Sequence, residues 1–304
     1  MTFFLPVAGV SVNLFLLFGV GGVVGFLSGL FGVGGGFLLT PILIMIGIPP
    51  TVATASDSCQ IVAASSSGVG AHFRLGNVDL KLGGVLLIGG LVGGAIGVQI
   101  IKVLRALGNA DFLITVTYIV VLSSIGGYMF VESLQDLRRG QMVPKSSTPT
   151  RTGSFLSRLP FQMRFPRSGV SHSVFVPFLL CALVGILAAI MGVGGGFIMV
   201  PMMVYLLRMP MRVAIGTDLF QILFTCAGIT LMQAATNHTV DLVLALLLAA
   251  GSTIGAQIGA RLTGVLRGNQ LKIILASIIL LVMAKLIVGI VQVPPNLLAY
   301  AKGH

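Results

Sequence analysis

The chain has 304 residues, 56% of them hydrophobic and only 8% charged, with a mean hydropathy of +1.08. Soluble domains carry about 25% charged residues, so the composition excludes an ordinary soluble protein and points to a polytopic membrane protein. The formal net charge of +11 does not point to nucleic acid, because much of the excess sits in one polar connector without any aromatic-basic or RNA-binding signature.

Hydrophobic runs recur at residues 11–31, 37–48, 52–73, 80–101 and 112–131, and again at 173–191, 197–207, 213–235, 242–262 and 271–291. A spanning helix needs about 20 apolar residues. Eight runs are near that length, and the second of each five is too short to cross at full thickness. The N-terminus lacks a basic leader, and its apolar run continues into a glycine motif, so it reads as a retained first span.

That motif, Gly29-Leu-Phe-Gly-Val-Gly-Gly-Gly-Phe37, returns as Ala189-Ile-Met-Gly-Val-Gly-Gly-Gly-Phe197, and Pro41 and Pro201 follow the two copies. Both copies interrupt apolar runs. A break there frees backbone N–H and C=O groups that hydrocarbon cannot satisfy, and it survives only where protein or a water-filled cavity covers it. Gly32, Gly34, Gly35 and Gly36, with Gly192, Gly194, Gly195 and Gly196, let the backbone come close to a ligand. Phe37 and Phe197 are expected to open helices directly afterwards, and free N–H groups at a helix start favour anions. Short, glycine-interrupted segments at matching places in two halves point to a transporter site built from broken helices. Gly93, Gly94 and Gly97, in contrast, read as close-packing glycines.

The halves match beyond the glycines. Pro49 corresponds to Pro210, Asp57 and Gln60 to Asp218 and Gln221, Val78-Asp79-Leu80 to Val240-Asp241-Leu242, and Leu104-Arg105 to Leu266-Arg267. The chain is therefore a tandem duplication: a first transmembrane repeat over 1–131, a basic linker over 132–172 and a second repeat over 173–304. The fold class is an all-α polytopic membrane protein of two five-segment repeats. If all five segments of a half cross, the second copy is inverted; if the short segments re-enter, the repeats are parallel.

With the linker in the cytoplasm, Arg208, Arg212, Arg261, Arg267 and Lys272 share its side, and the opposite loop 236–240 has no lysine or arginine. Lys102 and Arg105 fall on the wrong side, yet the balance favours inversion. The linker tract 146–154 is polar and rich in Ser, Thr, Pro and Gly, with little reason to fold. Residues 155–166 mix aromatics with arginines, and are read as a disordered tether in preference to a segment lying on the inner leaflet.

Asp57 and Asp218, each roughly two turns past a proline, are ionisable residues inside spanning helices, and such residues are functional candidates by default. Helix capping is the competing account. Ser56, Gln60, Thr217 and Gln221 flank them and can donate to an oxyanion. Lys285, deep in an apolar run and matched by Ser123 in the other half, serves either as a counter-charge or as a snorkelling lysine. Cys59, Cys181 and Cys226 lack metal-ligand spacing and read as small buried hydrophobes. His72 and His238 have no nucleophile–base spacing around them, so the chain is not read as an enzyme.

The doubled Gly-Val-Gly-Gly-Gly-Phe…Pro motif, the later Ala…Asp…Gln segment and the Gly-rich fourth span resemble the sulfite exporter TauE/SafE family, over residues 14–291. The resemblance implies an integral membrane transporter for small anions, with sulfite and organosulfonates such as sulfoacetate as substrates and export as the usual direction. It implies Gly32, Gly34–Gly36, Gly192, Gly194–Gly196, Asp57, Gln60, Asp218 and Gln221 as site residues. The expected partners are a small anion, the bilayer and H⁺ or Na⁺ as coupling ion, with a homodimer left open. No cofactor or metal is expected. The expected location is a bacterial inner membrane.

Overall fold

The computed structural model of the protein describes residues 2–31, 36–138, 162–165, 170–262 and 268–291. Ten helices lie among them: α1 (Leu14–Phe31), α2 (Gly36–Met45), α3 (Pro50–Arg74), α4 (Leu80–Ala106), α5 (Ala110–Arg138), α6 (Phe175–Met191), α7 (Gly196–Tyr205), α8 (Met211–Asn237), α9 (Leu242–Leu262) and α10 (Gly268–Val291). Among the described residues Leu80–Ala106, Arg212–Asn237 and Leu242–Gly259 are long and apolar enough to cross a membrane. Large hydrophobic side chains such as Phe15, Ile88, Leu231, Leu246 and Leu281 point outward, as a hydrocarbon solvent permits. The chain is a helical, multi-pass membrane protein.

The second helix of each half is short, as the run lengths lead one to expect. α2 and α7 have 10 residues each, or about 15 Å of rise against about 30 Å of hydrocarbon. Each contains its proline, Pro41 or Pro201. A proline in a helix has no N–H for the carbonyl four residues back; here those are the carbonyls of Phe37 and Phe197.

The helices pair across the halves. α1 packs on α9 and α6 on α4; α3 lies against α8, and α5 against α10. Exchanging the two halves maps this set of contacts onto itself. The two closest pairings run through glycine. A Cβ at Gly21 would lie 2.8 Å from the Leu248 carbonyl oxygen, and at Gly251 it would meet the Phe18 carbonyl oxygen. On the equivalent pair, a Cβ at Gly89 would meet the Phe178 carbonyl oxygen at 2.5 Å, and at Gly93 and Gly97 it would collide with Ala182 and Ile186. Helices in lipid gain nothing from hydrophobicity alone and associate by close backbone approach, which small residues four apart allow. Gly93 and Gly97 stand where that account puts them.

Two β-hairpins depart from the all-helical expectation. β1 (Thr2–Leu5) pairs antiparallel with β2 (Val10–Asn13), with Leu5 opposite Val10; β3 (Gln162–Phe165) pairs with β4 (Val170–Ser173), with Phe165 opposite Val170. Each precedes the first helix of its half. The run beginning at residue 11 is therefore strand for its first three residues, and the supposed tether 155–166 contains β3. The first hairpin turns at residues 6–9, where Gly9 takes φ +65° and donates its N–H to the Leu5 carbonyl at 2.9 Å. α5 runs on to Arg138, past the expected repeat boundary at 131; the linker tract 146–154 lies outside the described residues.

The main core joins the hairpin to the start of α2 and to the second glycine motif. Leu5 and Val12 of the hairpin share a buried cluster with Leu17, Phe37, Leu39, Tyr118, Val193, Phe197, Leu248 and Ile279.

Candidate functional site

The second glycine motif is an interruption between two helices. α6 ends at Met191 because Gly192 turns left-handed, at φ +72°, with its N–H on the Ala188 carbonyl at 2.7 Å. Gly194 and Gly195 follow at φ +70° and +82°. α7 then starts on the Gly195 carbonyl, which accepts from Ile198 and Met199 at 3.0 and 2.9 Å. Three left-handed residues out of four explain why glycine is used, since an L side chain resists that conformation. The N–H groups of Val193, Gly194, Gly195, Gly196 and Phe197 have no acceptor among the described residues, although all five residues are buried. Buried donors of this kind are costly unless something accepts from them.

Of the first motif, Gly32, Gly34 and Gly35 lie outside the described residues, while Gly36 opens α2 and is buried. Gly36 meets the second break directly: a Cβ there would lie 3.2 Å from the Val193 Cα, 3.2 Å from Asp57 Oδ2 and 2.6 Å from Ile61 Cδ1. One residue on, the rings of Phe37 and Phe197 stack at 5.6 Å and 26°. The second break is also wedged between α3 and α8. A Cβ at Gly194 would meet Cys226 Sγ and Ile222 at 3.1 Å and Ile61 at 3.3 Å, and at Gly192 it would strike the Thr54 backbone.

The carboxylates sit beside this junction. Asp57, fully buried in α3, accepts from Thr40 Oγ1 of α2 at 2.7 Å on Oδ2, and its Oδ1 has no partner among the described residues. Asp218, buried in α8, likewise has an unpartnered Oδ1. Cys226 is in electrostatic range of both. Neither carboxylate has a basic partner among the described residues. Gln60 donates from Nε2 to Ser252 Oγ of α9, and its Oε1 is unpartnered. Gln221 donates to Thr225 Oγ1 on its own helix at 2.9 Å. Tyr118 of α5, also buried, donates its hydroxyl to the Met191 carbonyl at the end of α6. Thr40, Tyr118 and Ser252 are not evident from the sequence. Thr40 is a lone hydroxyl in an apolar run, whereas Tyr118 and Ser252 have Thr117 and Thr253 as direct neighbours.

Ser56 and Thr217 are occupied otherwise. Ser56 Oγ accepts from the Asp241 N–H at 3.1 Å, and Thr217 Oγ1 accepts from the Asp79 N–H at 3.0 Å. The two bonds are equivalent under exchange of the halves, and each ties the middle of one half to the start of a helix in the other. Asp79 and Asp241 cap α4 and α9 through Leu82 N at 3.3 Å and Leu244 N at 3.1 Å. Asp241 Oδ2 also accepts from Val7 N in the hairpin turn, at 3.2 Å. Lys285 is exposed, in a groove with Ile44, Met45 and Thr115, and stands apart from the buried carboxylates.

The junction thus combines amide donors with neutral or acidic acceptors in a sealed interior. The family model described as sulfite exporter TauE/SafE matches residues 17–286. A probable membrane transporter protein of Bacillus subtilis, YjnA, is 29% identical over 91% of this chain and 100% of its own length. The probable membrane transporter protein MJ0441 of Methanocaldococcus jannaschii is 23% identical over 87% of this chain and 91% of its own. Sulfite exporter TauE/SafE family protein 1 of Arabidopsis thaliana is 32% identical over 33% of this chain and 22% of its own length. No solved structure was found to match. A family match that begins in α1 and ends in α10 leaves neither half outside it, and this multi-pass membrane transporter belongs to the sulfite exporter TauE/SafE family.

Proposed function

We infer that the protein moves a small sulfur-containing anion, sulfite or an organosulfonate such as sulfoacetate, across the membrane by alternating access, with export as its direction. The observation that carries this reading is the run of buried, unpartnered N–H groups from Val193 to Phe197, set against the start of α2. A sulfonate or sulfite oxygen accepts from such amides, and the positive end of α7 adds to the attraction. An inside-negative potential drives an anion outward by about 2.3 kcal/mol per charge per 100 mV. Asp57 and Asp218 handle a coupling cation, H⁺ or Na⁺. The same machinery would serve uptake if that cation's gradient were the stronger force.

Inversion of the second repeat follows if all five segments of a half cross, and a cytoplasmic, inner-membrane placement of the basic linker is supported by its charge. The purified protein should be screened by thermal shift against sulfite, sulfoacetate, isethionate, taurine and sulfate. A true substrate raises the melting temperature with concentration, because it binds the folded state alone. Counterflow of that anion in proteoliposomes should saturate. No shift with any of the five, or conductance that does not saturate, would overturn the reading.

A further inference from the structure

We propose that Asp57 carries a proton on Oδ1 and donates it to Gln60 Oε1, so that this carboxyl–amide pair in the first half is the proton-binding site of the transporter. Its role in transport rests on the function inferred above; the proton itself does not.

Asp57 and Gln60 stand three residues apart on α3 and so share a face of the helix. Asp57 is 0% exposed and Gln60 2%. Each ends in one oxygen without a partner, and both oxygens are acceptors. Gln60 Nε2 lies against Ser252 Oγ, and the Ser252 hydroxyl donates to the Ala249 carbonyl at 3.3 Å, an arrangement in which Ser252 Oγ accepts from the amide NH₂. Gln60 Oε1 is then the free end. Thr40 fills Asp57 Oδ2. Two acceptors with no donor between them are both satisfied by one hydrogen, an O–H bond formed on Oδ1 and directed at Oε1. The proton comes from water on one side of the membrane and returns to water on the other.

The surroundings call for a neutral carboxyl. A buried charge without a partner is costly. The titratable groups in electrostatic range of Asp57 are Tyr118 of α5, already committed to the Met191 carbonyl, and Cys226 of α8, which is also in range of Asp218. α2 brings only Thr40, and α6 the backbone around Met191. α9 brings Ser252 and, one residue along at Ser56, the capping Asp241. None of these is a cation. A metal ion would ask for more oxygen ligands than the two free ones, and no cluster of metal-binding side chains occurs among the described residues.

The second half does not repeat the arrangement. At the positions of Thr40, Tyr118 and Ser252 it has Val200, Leu280 and Gly90. Without a hydroxyl at Gly90, Gln221 turns to Thr225 on its own helix. Among the described residues there is thus one carboxyl–amide site of this kind.

Infrared difference spectroscopy of the purified full-length protein between acid and alkaline pH tests the site, through the carbonyl stretch of a protonated carboxylic acid. The wild type should show a band that Asp57→Asn removes and Asp218→Asn leaves in place. Gln60→Leu should move that band to higher frequency, because the acid loses its acceptor. Asp57→Asn keeps a donor toward Gln60 and an acceptor for Thr40, and should melt like the wild type. If it does not fold, the Gln60→Leu shift decides. An unchanged spectrum in Asp57→Asn, an unmoved band in Gln60→Leu, or a band bleached by NaCl at constant pH would each overturn the proposal, the last in favour of Na⁺. The measurement uses no substrate, so a missing band leaves anion transport standing, and absent transport leaves the band standing.

Discussion

Phe37 and Phe197, the residues that directly follow the two glycine motifs, stack on each other at 5.6 Å. The starts of α2 and α7, one from each half, are thereby brought together. Truncating either ring removes buried contacts from both halves. Phe37→Ala and Phe197→Ala should each destabilise the protein by about 3–5 kcal/mol. The double variant should lose less than the sum, by about 0.5–1.5 kcal/mol, the usual coupling of an aromatic pair. Chemical denaturation in detergent, run as a double-mutant cycle, reads both; strict additivity would mean that the rings do not support each other.

Gly194→Ala places a methyl group on a left-handed residue, 3.1 Å from Cys226 Sγ and Ile222. The conformation alone costs about 1–2 kcal/mol, and any shift of the turn misaims the free amides. Substrate-induced thermal stabilisation should fall sharply. Gly84→Ala, in α4 with open space around its Cβ position, is the control and should leave the response intact. Equal effects at both sites would argue against a backbone cradle.

Ser56→Ala and Thr217→Val each remove the acceptor from one cross-half bond, to the N–H of Asp241 or of Asp79. The expected cost is about 1–3 kcal/mol, seen as a lower melting temperature. Affinity for the anion, taken from the concentration dependence of the thermal shift, should be unchanged. A large loss of affinity with little loss of stability would return both hydroxyls to the substrate.

Lys285→Met removes a charge from an exposed groove at α10. Stability should change by no more than about 0.5 kcal/mol, and the anion response should not move. Loss of that response would make Lys285 the counter-charge after all.

The parts legible in the sequence are those written locally or twice. Glycine runs followed by prolines mark the breaks, and short runs mark α2 and α7, because helix length and φ > 0 are properties of neighbouring residues. The hairpins escaped because Val10-Ser11-Val12-Asn13 is only four residues of alternation fused to an apolar helix, where hydropathy alone does not separate strand from span. Pro6-Val-Ala-Gly9 and Pro166-Arg-Ser-Gly169 do carry the turn signal, at the same place in both halves. The tasks of Ser56 and Thr217 could not be read at all, since their partners lie 185 and 138 residues away. Periodicity is blind to a bond of that reach.

The pairing of α1 with α9 sets a condition on biosynthesis. When the ribosome has delivered α1 to the membrane, the glycine face that will receive Leu248 and Ser252 has no counterpart, and Val7 must wait for an acceptor 234 residues downstream. The nascent first half therefore enters the bilayer with its closest helix contact unmade, and α4 waits in the same way for α6. Translation of the second half completes the first, so truncated products ending before α9 would be left with an unsealed groove for quality-control proteases to recognise.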